Sequence, residues 1–298
     1  MSLLGLDVGT TGCKAVLFHT DGTVLGSAYA EYENRSPGPG RFEVDSAAVW
    51  VQIKAMIQAV CAAASNDPLR ALAIASMGEA VVPVTRQRQI LGPSILNFDE
   101  RGQEYLPGLS AVLSDERLYA INGNTLGNHY SLTKLMWMRE HQPELYERTD
   151  YFLHWSSFVA FMLGAEPALD YSLANRTLLF DLERQDWSAE LFAIAGLDVS
   201  RLPSTIPSGQ VIGHALPSLA AASSTPPGKT VFNPRFTTGT RSVSRATRIG
   251  PVYTSLMPAL NAATCAGSFE IGGMMCVSTS SPTPASRAST AISSVEMW

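Results

Sequence analysis

Apolar and polar positions sort the first half of the chain into short extended runs and one long helical stripe. Residues 3–8 (LLGLDV) and 14–19 (KAVLFH) are apolar enough for two neighbouring strands. Residues 24–32 (VLGSAYAEY) alternate as a third, after a hairpin turn at Thr20-Asp21-Gly22-Thr23. A Pro- and Gly-rich loop follows at 36–40 (SPGPG). Asp45 then offers an N-cap for a helix running to about Ala64, with Val49, Trp50, Ile53, Met56, Ile57 and Val60 on one face. Residues 70–77 (RALAIASM) predict a buried strand parallel to the first, because a helix joins the two. Val81–Thr85 and Ile95–Phe98 predict further extended pieces. From Leu109 the spacing turns helical, with apolar faces at 132–140 and 155–163 and breaks at Pro143, Gly164 and Pro167. A βββαβ start followed by helices implies an α/β domain with a mixed sheet. Residues 203–228 are polar and rich in Pro and Ser, as inter-domain connections are.

Composition narrows the class. With 298 residues, 46% apolar and 16% charged, the chain can build a real core as one large domain or two modest ones. A net charge of −5 supplies no basic footprint for nucleic acid or an anionic membrane. The four cysteines, Cys13, Cys61, Cys265 and Cys276, have no CxxC or Cys/His metal spacing and read as thiols of a reducing compartment. No charged leader precedes a long apolar stretch, and apolar segments are expected to break before the roughly 18 residues a bilayer span needs. The expectation is a cytoplasmic protein that binds neither nucleic acid nor membrane.

One candidate site interrupts the first two strands. In LGLDVGTTGCKAVLF, residues 4–18, an aspartate, two hydroxyls and two glycines separate two apolar runs. A Gly-Thr turn lets backbone N–H groups and hydroxyls approach phosphate oxygens without interference from a Cβ. An ordinary hairpin with a polar turn explains the same residues equally well.

Further segments break that tie. D-x-G-T-T-x-x-K, followed by strand, helix and strand, resembles the sugar-kinase/actin/heat-shock-70 ATPase superfamily, and within it the FGGY carbohydrate kinases, xylulokinase-like members in particular. Residues 97–101 (NFDER) resemble that family's W-x-D-x-R segment. Residues 122–152 (NGNTLGNHYSLTKLMWMREHQPELYERTDYF) resemble its Gly/Asn-rich loop leading into K-L-x-W. Residues 170–198 resemble D-x-S-x-A-S-x-T-x-L-x-D…W, and 202–213 (LPSTIPSGQVIG) resemble the segment that ends its first domain. The resemblance covers roughly residues 3–230 in order.

It implies a ribonuclease H-like (actin-like ATPase) fold with a mixed sheet flanked by helices, residues 1–230 forming the sugar-binding N-terminal domain. It implies ATP-dependent phosphorylation of a sugar or polyol hydroxyl, with ATP and Mg²⁺ as cofactors. Gly9, Thr10, Thr11 and Lys14 would meet phosphate, and Asp7 the metal. Gly78, Glu79, Asp99, Arg101, Tyr130, Asp170 and Asn175 fall on acceptor-site positions, Tyr130 matching an aromatic that lines the pocket in glycerol kinases. Asp99 and Arg101 serve equally as a structural ion pair, Tyr130 and Trp137 as core, and His129 as a loop residue. Glu79 departs from the family's Q-M-H or Q-R-E, and a xylulose-like ketose is the default acceptor. Association as a homodimer is left open.

After residue 231 the resemblance stops. The family's G-G-x-D-Q segment carries its expected general base, whereas this chain reads FNPRFTTGTRSVSRATRIG and has no aspartate after Asp198. Residues 231–298 lack periodicity and are expected to be a poorly ordered, non-homologous tail, from a frameshifted, alternatively spliced or mis-predicted gene end. Two functions follow: a sugar or polyol kinase, or a non-catalytic sugar-binding or regulatory remnant of one. An actin-like structural protein fits residues 170–198 less well.

Overall fold

A computed structural model describes residues 1–63, 67 and 69–215, together with the backbone of a strand at 275–278. The meander is as the alternation predicts: β1 (Ser2–Val8), β2 (Gly12–His19) and β3 (Val24–Glu31), antiparallel in sequence order. Asp21 accepts from the Thr23 N–H (2.9 Å), and Gly22 takes φ 91°, which a side chain would strain. The SPGPG segment expected as a loop is instead a tight hairpin, β4 (Arg35–Gly38) and β5 (Arg41–Val44), turning at Gly40 with φ 68°.

Asp45 caps α1 (Ser46–Ala63) by accepting from the Ala48 N–H (3.0 Å). The expectation that no segment is both long and apolar enough to cross a membrane is corrected by α1, whose 18 residues have a mean hydropathy of 1.3. Its buried face, Val49, Trp50, Ile53, Met56 and Val60, lies in one core with Leu4, Leu6 and Val8 of β1 and Cys13, Ala15 and Leu17 of β2. Lys54, Gln52 and Gln58 interrupt its other positions. Each fully buried Val, Leu, Ile or Met of this core contributes roughly 1.5–3 kcal/mol.

After α1 come β6 (Leu69–Ser76), parallel to β1, then β7 (Val81–Val84) and β8 (Ser94–Ile95). The helical part holds α2 (Leu106–Val112), α3 (Asp115–Asn122), α4 (Ser131–His141) and α5 (Pro143–Arg148). Next are β9 (Tyr151–His154), α6 (Trp155–Leu163), β10 (Ala168–Asp170) and α7 (Tyr171–Asn175). The short pair β11 (Phe180–Asp181) and β12 (Asp186–Trp187), α8 (Ala189–Ala195), β13 (Ser204–Ile206) and β14 (Val211–His214) follow. The last strand is β15 (Met275–Ser278). The main sheet runs β14-β15-β6-β1-β2-β3, so β15 pairs the edge of β6 that β1 leaves free. Those four residues depart from the unordered tail expected over 231–298; the rest of that segment lies outside the described residues. Pairing an otherwise open edge satisfies N–H and C=O groups that periodicity does not reveal.

A second core lies around α4, whose residues 131–138 are all buried, as in a helix surrounded by protein. Lys134 is buried in that helix. Its ammonium donates to the Asp99 and Arg101 carbonyls, 2.7 Å each. Burial pushes its pKa down to about 8, partly offset by the Asp99 carboxylate. Beside it the Arg101 guanidinium donates to both Asp99 oxygens (2.9 and 2.6 Å) and to Glu43 Oε1 on β5 (2.7 Å). Burial raises the Asp99 carboxyl, but hydrogen bonds from Arg101 and the Phe42 N–H outweigh it and hold the group below its ordinary range. The Arg101 fork also lies 5.0 Å from the Trp137 ring centre. Trp137 is core, stacked on His141.

Two stability predictions follow from these buried groups. Arg101→Met leaves Asp99 and Glu43 charged without a partner, and should cost about 3–5 kcal/mol. Adding Asp99→Asn should recover part of that loss in urea unfolding, because removing a buried pair is milder than breaking it. His154 is fully buried, and burial depresses its pKa to about 3, from 6.5 in the unfolded chain. The unfolded state therefore takes up a proton that the folded state refuses. Stability should fall as pH drops from about 6.5 towards 3, by about 1.4 kcal/mol per pH unit from this group. His154→Leu should flatten that slope by about one proton in melts between pH 7 and 4, whatever its effect at neutral pH.

Candidate functional site

Parallel pairing sets the C-terminal ends of β1 and β6 side by side. Val8 is the register partner of Ser76, and the Met77 N–H donates to the Val8 carbonyl (2.8 Å), carrying the pairing one residue further. The chain leaves β1 into the Gly-Thr turn and leaves β6 into Gly78-Glu79. Ligand sites form at the carboxyl ends of parallel strands for this reason.

The turn is held by backbone. The Gly9 N–H donates to the Gly12 carbonyl (2.9 Å), the Tyr32 N–H to the Thr11 carbonyl (3.1 Å), and the Tyr32 hydroxyl to the Gly9 carbonyl. A Cβ at Gly12 would stand 2.6 Å from the Tyr29 hydroxyl and 2.9 Å from the Ala30 carbonyl, so only glycine fits. Gly9 and Thr10 are half-buried and Thr11 is exposed at the tip. Asp7 and Lys14 are directly opposed across β1 and β2, on the sheet face away from α1. Burial raises the Asp7 carboxyl above its ordinary pKa, and the Lys14 charge partly counters it. The five phosphate- and metal-facing candidates therefore lie in one hairpin.

A second group forms at the end of β6. Arg176, just beyond α7, donates through Nε (2.8 Å) and Nη2 to a single oxygen of Glu79, Oε1. Its guanidinium lies 4.7 Å from the centre of the buried Tyr130 ring and runs beside Gly78, where a Cβ would touch its Cγ at 3.6 Å. The His129 ring lies tilted against Tyr130, ring centres 3.9 Å apart, and burial with the Arg176 charge lowers its pKa. The Ser131 hydroxyl donates to the Glu79 carbonyl (2.6 Å) and stands 3.2 Å from His154 Nε2. Asn175 accepts from the Asn124 amide (3.0 Å). Gly78, Glu79 and Tyr130 are thus brought together around a residue that sequence reasoning passed over, Arg176.

The other candidates sit deeper. Asp99 and Arg101 form the buried ion pair, one of the two roles open to them from sequence, and their polar groups are taken by Glu43, Phe42 and Lys134. The loop from Asn128 meets this pair, the Asn128 amide donating to the Asp99 carbonyl (3.0 Å). Asp170 is fully buried and caps α7; its Oδ1 accepts from the Ser172 and Leu173 N–H groups and from the Ser208 hydroxyl. Its Oδ2 has no hydrogen-bond partner among the described residues. Two signals for the missed residues were present in the chain. Lys134 is the lone cation of an apolar helix face, and Arg176 lies inside the quoted DYSLANRT run.

The chain resembles known carbohydrate kinases over about three quarters of its length. The chain is 28% identical over 228 residues to a xylulose kinase of Klebsiella pneumoniae, covering 76% of this chain and 47% of that protein. It is 30% identical over 224 residues to a glycerol kinase of Herminiimonas arsenicoxydans, covering 73% of this chain and 45% of that protein. The solved xylulose kinase from Rhodospirillum rubrum superposes with a TM-score of 0.71 at 27% identity, covering 76% of this chain and 47% of that one. Plasmodium falciparum glycerol kinase with ADP, at 19% identity and a TM-score of 0.69 over 74% of this chain and 46% of that one, shares the fold. This chain spans about half the length of the curated relatives it matches. The N-terminal-domain model of the FGGY carbohydrate kinases matches residues 2–231, and the chain, with its actin-like ATPase fold, belongs to that family.

Proposed function

We propose that this chain forms the phosphate- and acceptor-facing half of an ATP-dependent kinase that phosphorylates a hydroxyl of a sugar or polyol, the domain ending near residue 230. One observation carries the reading. The glycine-threonine turn with Asp7 and Lys14 stands at the end of β1, beside the end of β6, where the chain runs on to Glu79 and meets Arg176 from the end of α7. Relatives named as xylulose kinases and glycerol kinases support both the reaction and the acceptor class, a xylulose-like ketose first and glycerol next.

In that reaction the γ-phosphoryl group forms a bond to the acceptor oxygen as its bond to ADP breaks, and the hydroxyl proton leaves to a base. Catalysis of this step is mostly positioning and charge stabilisation. The turn supplies backbone N–H groups and the Thr10 and Thr11 hydroxyls to phosphate oxygens, and Lys14 supplies positive charge. The Asp7 carboxylate is one hard oxygen donor at a strand end, which suits a Mg²⁺ ion that keeps most of its waters and its phosphate ligands. Asp7 is the residue that would hold it, and among the described residues it does not belong to a group of three Asp, Glu, His or Cys side chains. The ion would neutralise charge on the phosphates. The residues assigned here bind and position; none is given the part of the base. We place the protein in the cytoplasm, acting on small molecules rather than on nucleic acid or membrane.

A second reading, a sugar-binding lobe without turnover, is favoured by one feature of the sequence: the family's expected general-base segment is not found after residue 231. A coupled ADP-release assay over D-xylulose, glycerol and other polyols separates the two. The kinase reading expects turnover that Asp7→Asn lowers by about a hundredfold or more. Calorimetric binding of a polyol with no ADP released would instead establish the second reading.

A further inference from the structure

Two arginine–carboxylate pairs in this fold are built differently. In the buried pair, Arg101 reaches both oxygens of Asp99 and a third on Glu43, and its side chain is 5% exposed. Arg176 converges two donors on one oxygen of Glu79 and keeps 35% of its side chain exposed. Its Nη1 and Glu79 Oε2 make no hydrogen bond among the described residues. Tyr130 stacks under the guanidinium and Gly78 leaves room beside it, so the fork is held flat without consuming the Nη1 donors. This arrangement leaves a charged acceptor and a charged donor side by side at the end of β6.

We propose that Arg176 and Glu79 together read two adjacent hydroxyls of an uncharged polyol, with Arg176 the specificity-determining residue. One hydroxyl donates to Glu79 Oε2 and its neighbour accepts from Arg176 Nη1. The two formal charges cancel, and the polar neighbours Ser131 and Asn175 add none, so neither an acidic nor an amino sugar is favoured. A site built to hydrogen-bond hydroxyls rejects analogues that leave its groups unpaired. This inference rests on the acceptor half of the kinase reading and not on phosphoryl transfer.

The test is a calorimetric comparison of the full 298-residue chain with matched ligands built on glycerol and on xylitol: the neutral polyol, its carboxylate and its primary amine. The unaltered chain should bind the neutral form best. Arg176→Met should weaken the neutral polyol roughly tenfold and turn the order towards the amine, because Glu79 is left unpaired. Glu79→Gln should turn the order towards the carboxylate by a similar factor. Arg176→Lys keeps the charge, so it should weaken all three ligands while keeping their order. Equal weakening of all three by Arg176→Met and Glu79→Gln, a charged ligand preferred by the unaltered chain, or no binding of any ligand would each overturn the proposal. If Arg176→Met fails to fold, the Glu79→Gln order decides alone. Re-ordered binding with no ADP release would uphold the proposal while sinking the kinase reading.

Discussion

The parallel pairing of β1 with β6 is the constraint on which the rest of this structure hangs. It fixes Val8 against Ser76 and so brings two chain reversals to one edge of the sheet, although some seventy residues separate them. Slipping the register by one residue would turn Leu4, Leu6 and Val8 off the α1 face and put Asp7 into the core. The hydrophobic pattern that buries the sheet therefore also aims Asp7 and Lys14 outward. Fold and site share one cause, and the price of misregister would fall on both.

Around that edge the protein buries charge only where it can be satisfied. Lys134 and Arg101 both serve the 99–101 segment, one through carbonyls and one through carboxylates. Desolvating either cation alone would be unfavourable; together they convert an irregular segment into a fixed wall behind the Asn128–Ser131 loop. That loop in turn orients Tyr130, and Leu132 and Thr177 tie it to the segment bearing Arg176 (N–H to carbonyl, 3.0 Å). Charged residues that sequence motifs place at a pocket can thus act one step behind it, by holding the residues that line it.

Much of this was legible in the chain because it depends on local period. The three-strand meander, the Asp45-capped helix and the strand parallel to β1 follow from alternation, capping and the crossover rule. The β4–β5 hairpin was not legible, since RSPG has no apolar alternation and its pairing is completed by β5 against β8, some fifty residues on. Met275–Ser278 joining β6 is likewise a non-local event that composition hides. The hydroxyls and glycines of the turn announced themselves by type and spacing. The Glu79–Arg176 contact did not, because its partners lie 97 residues apart and meet only when α7 docks. The apolar character of α1, not its length, was misjudged, because lysine and glutamine interrupt it without lowering its mean hydropathy far enough.

The hairpin and the acceptor group solve different physical problems. Under the proposed function the turn would meet phosphate oxygens at close range, and its shape is set by backbone hydrogen bonds and by a glycine that the Tyr29 hydroxyl permits no larger residue to replace. Its one carboxylate, Asp7, is held partly out of water with its pKa raised, a state less favourable for the ion than bulk solvent. Lys14 returns only part of that loss. A cation brought in on a phosphate ligand would return more, so under the proposed function phosphate and metal would bind together more readily than either alone. The acceptor group, by contrast, arrives already neutralised by its own ion pair. Under the proposed function, charge would be left outstanding where phosphate comes and balanced where a polyol comes.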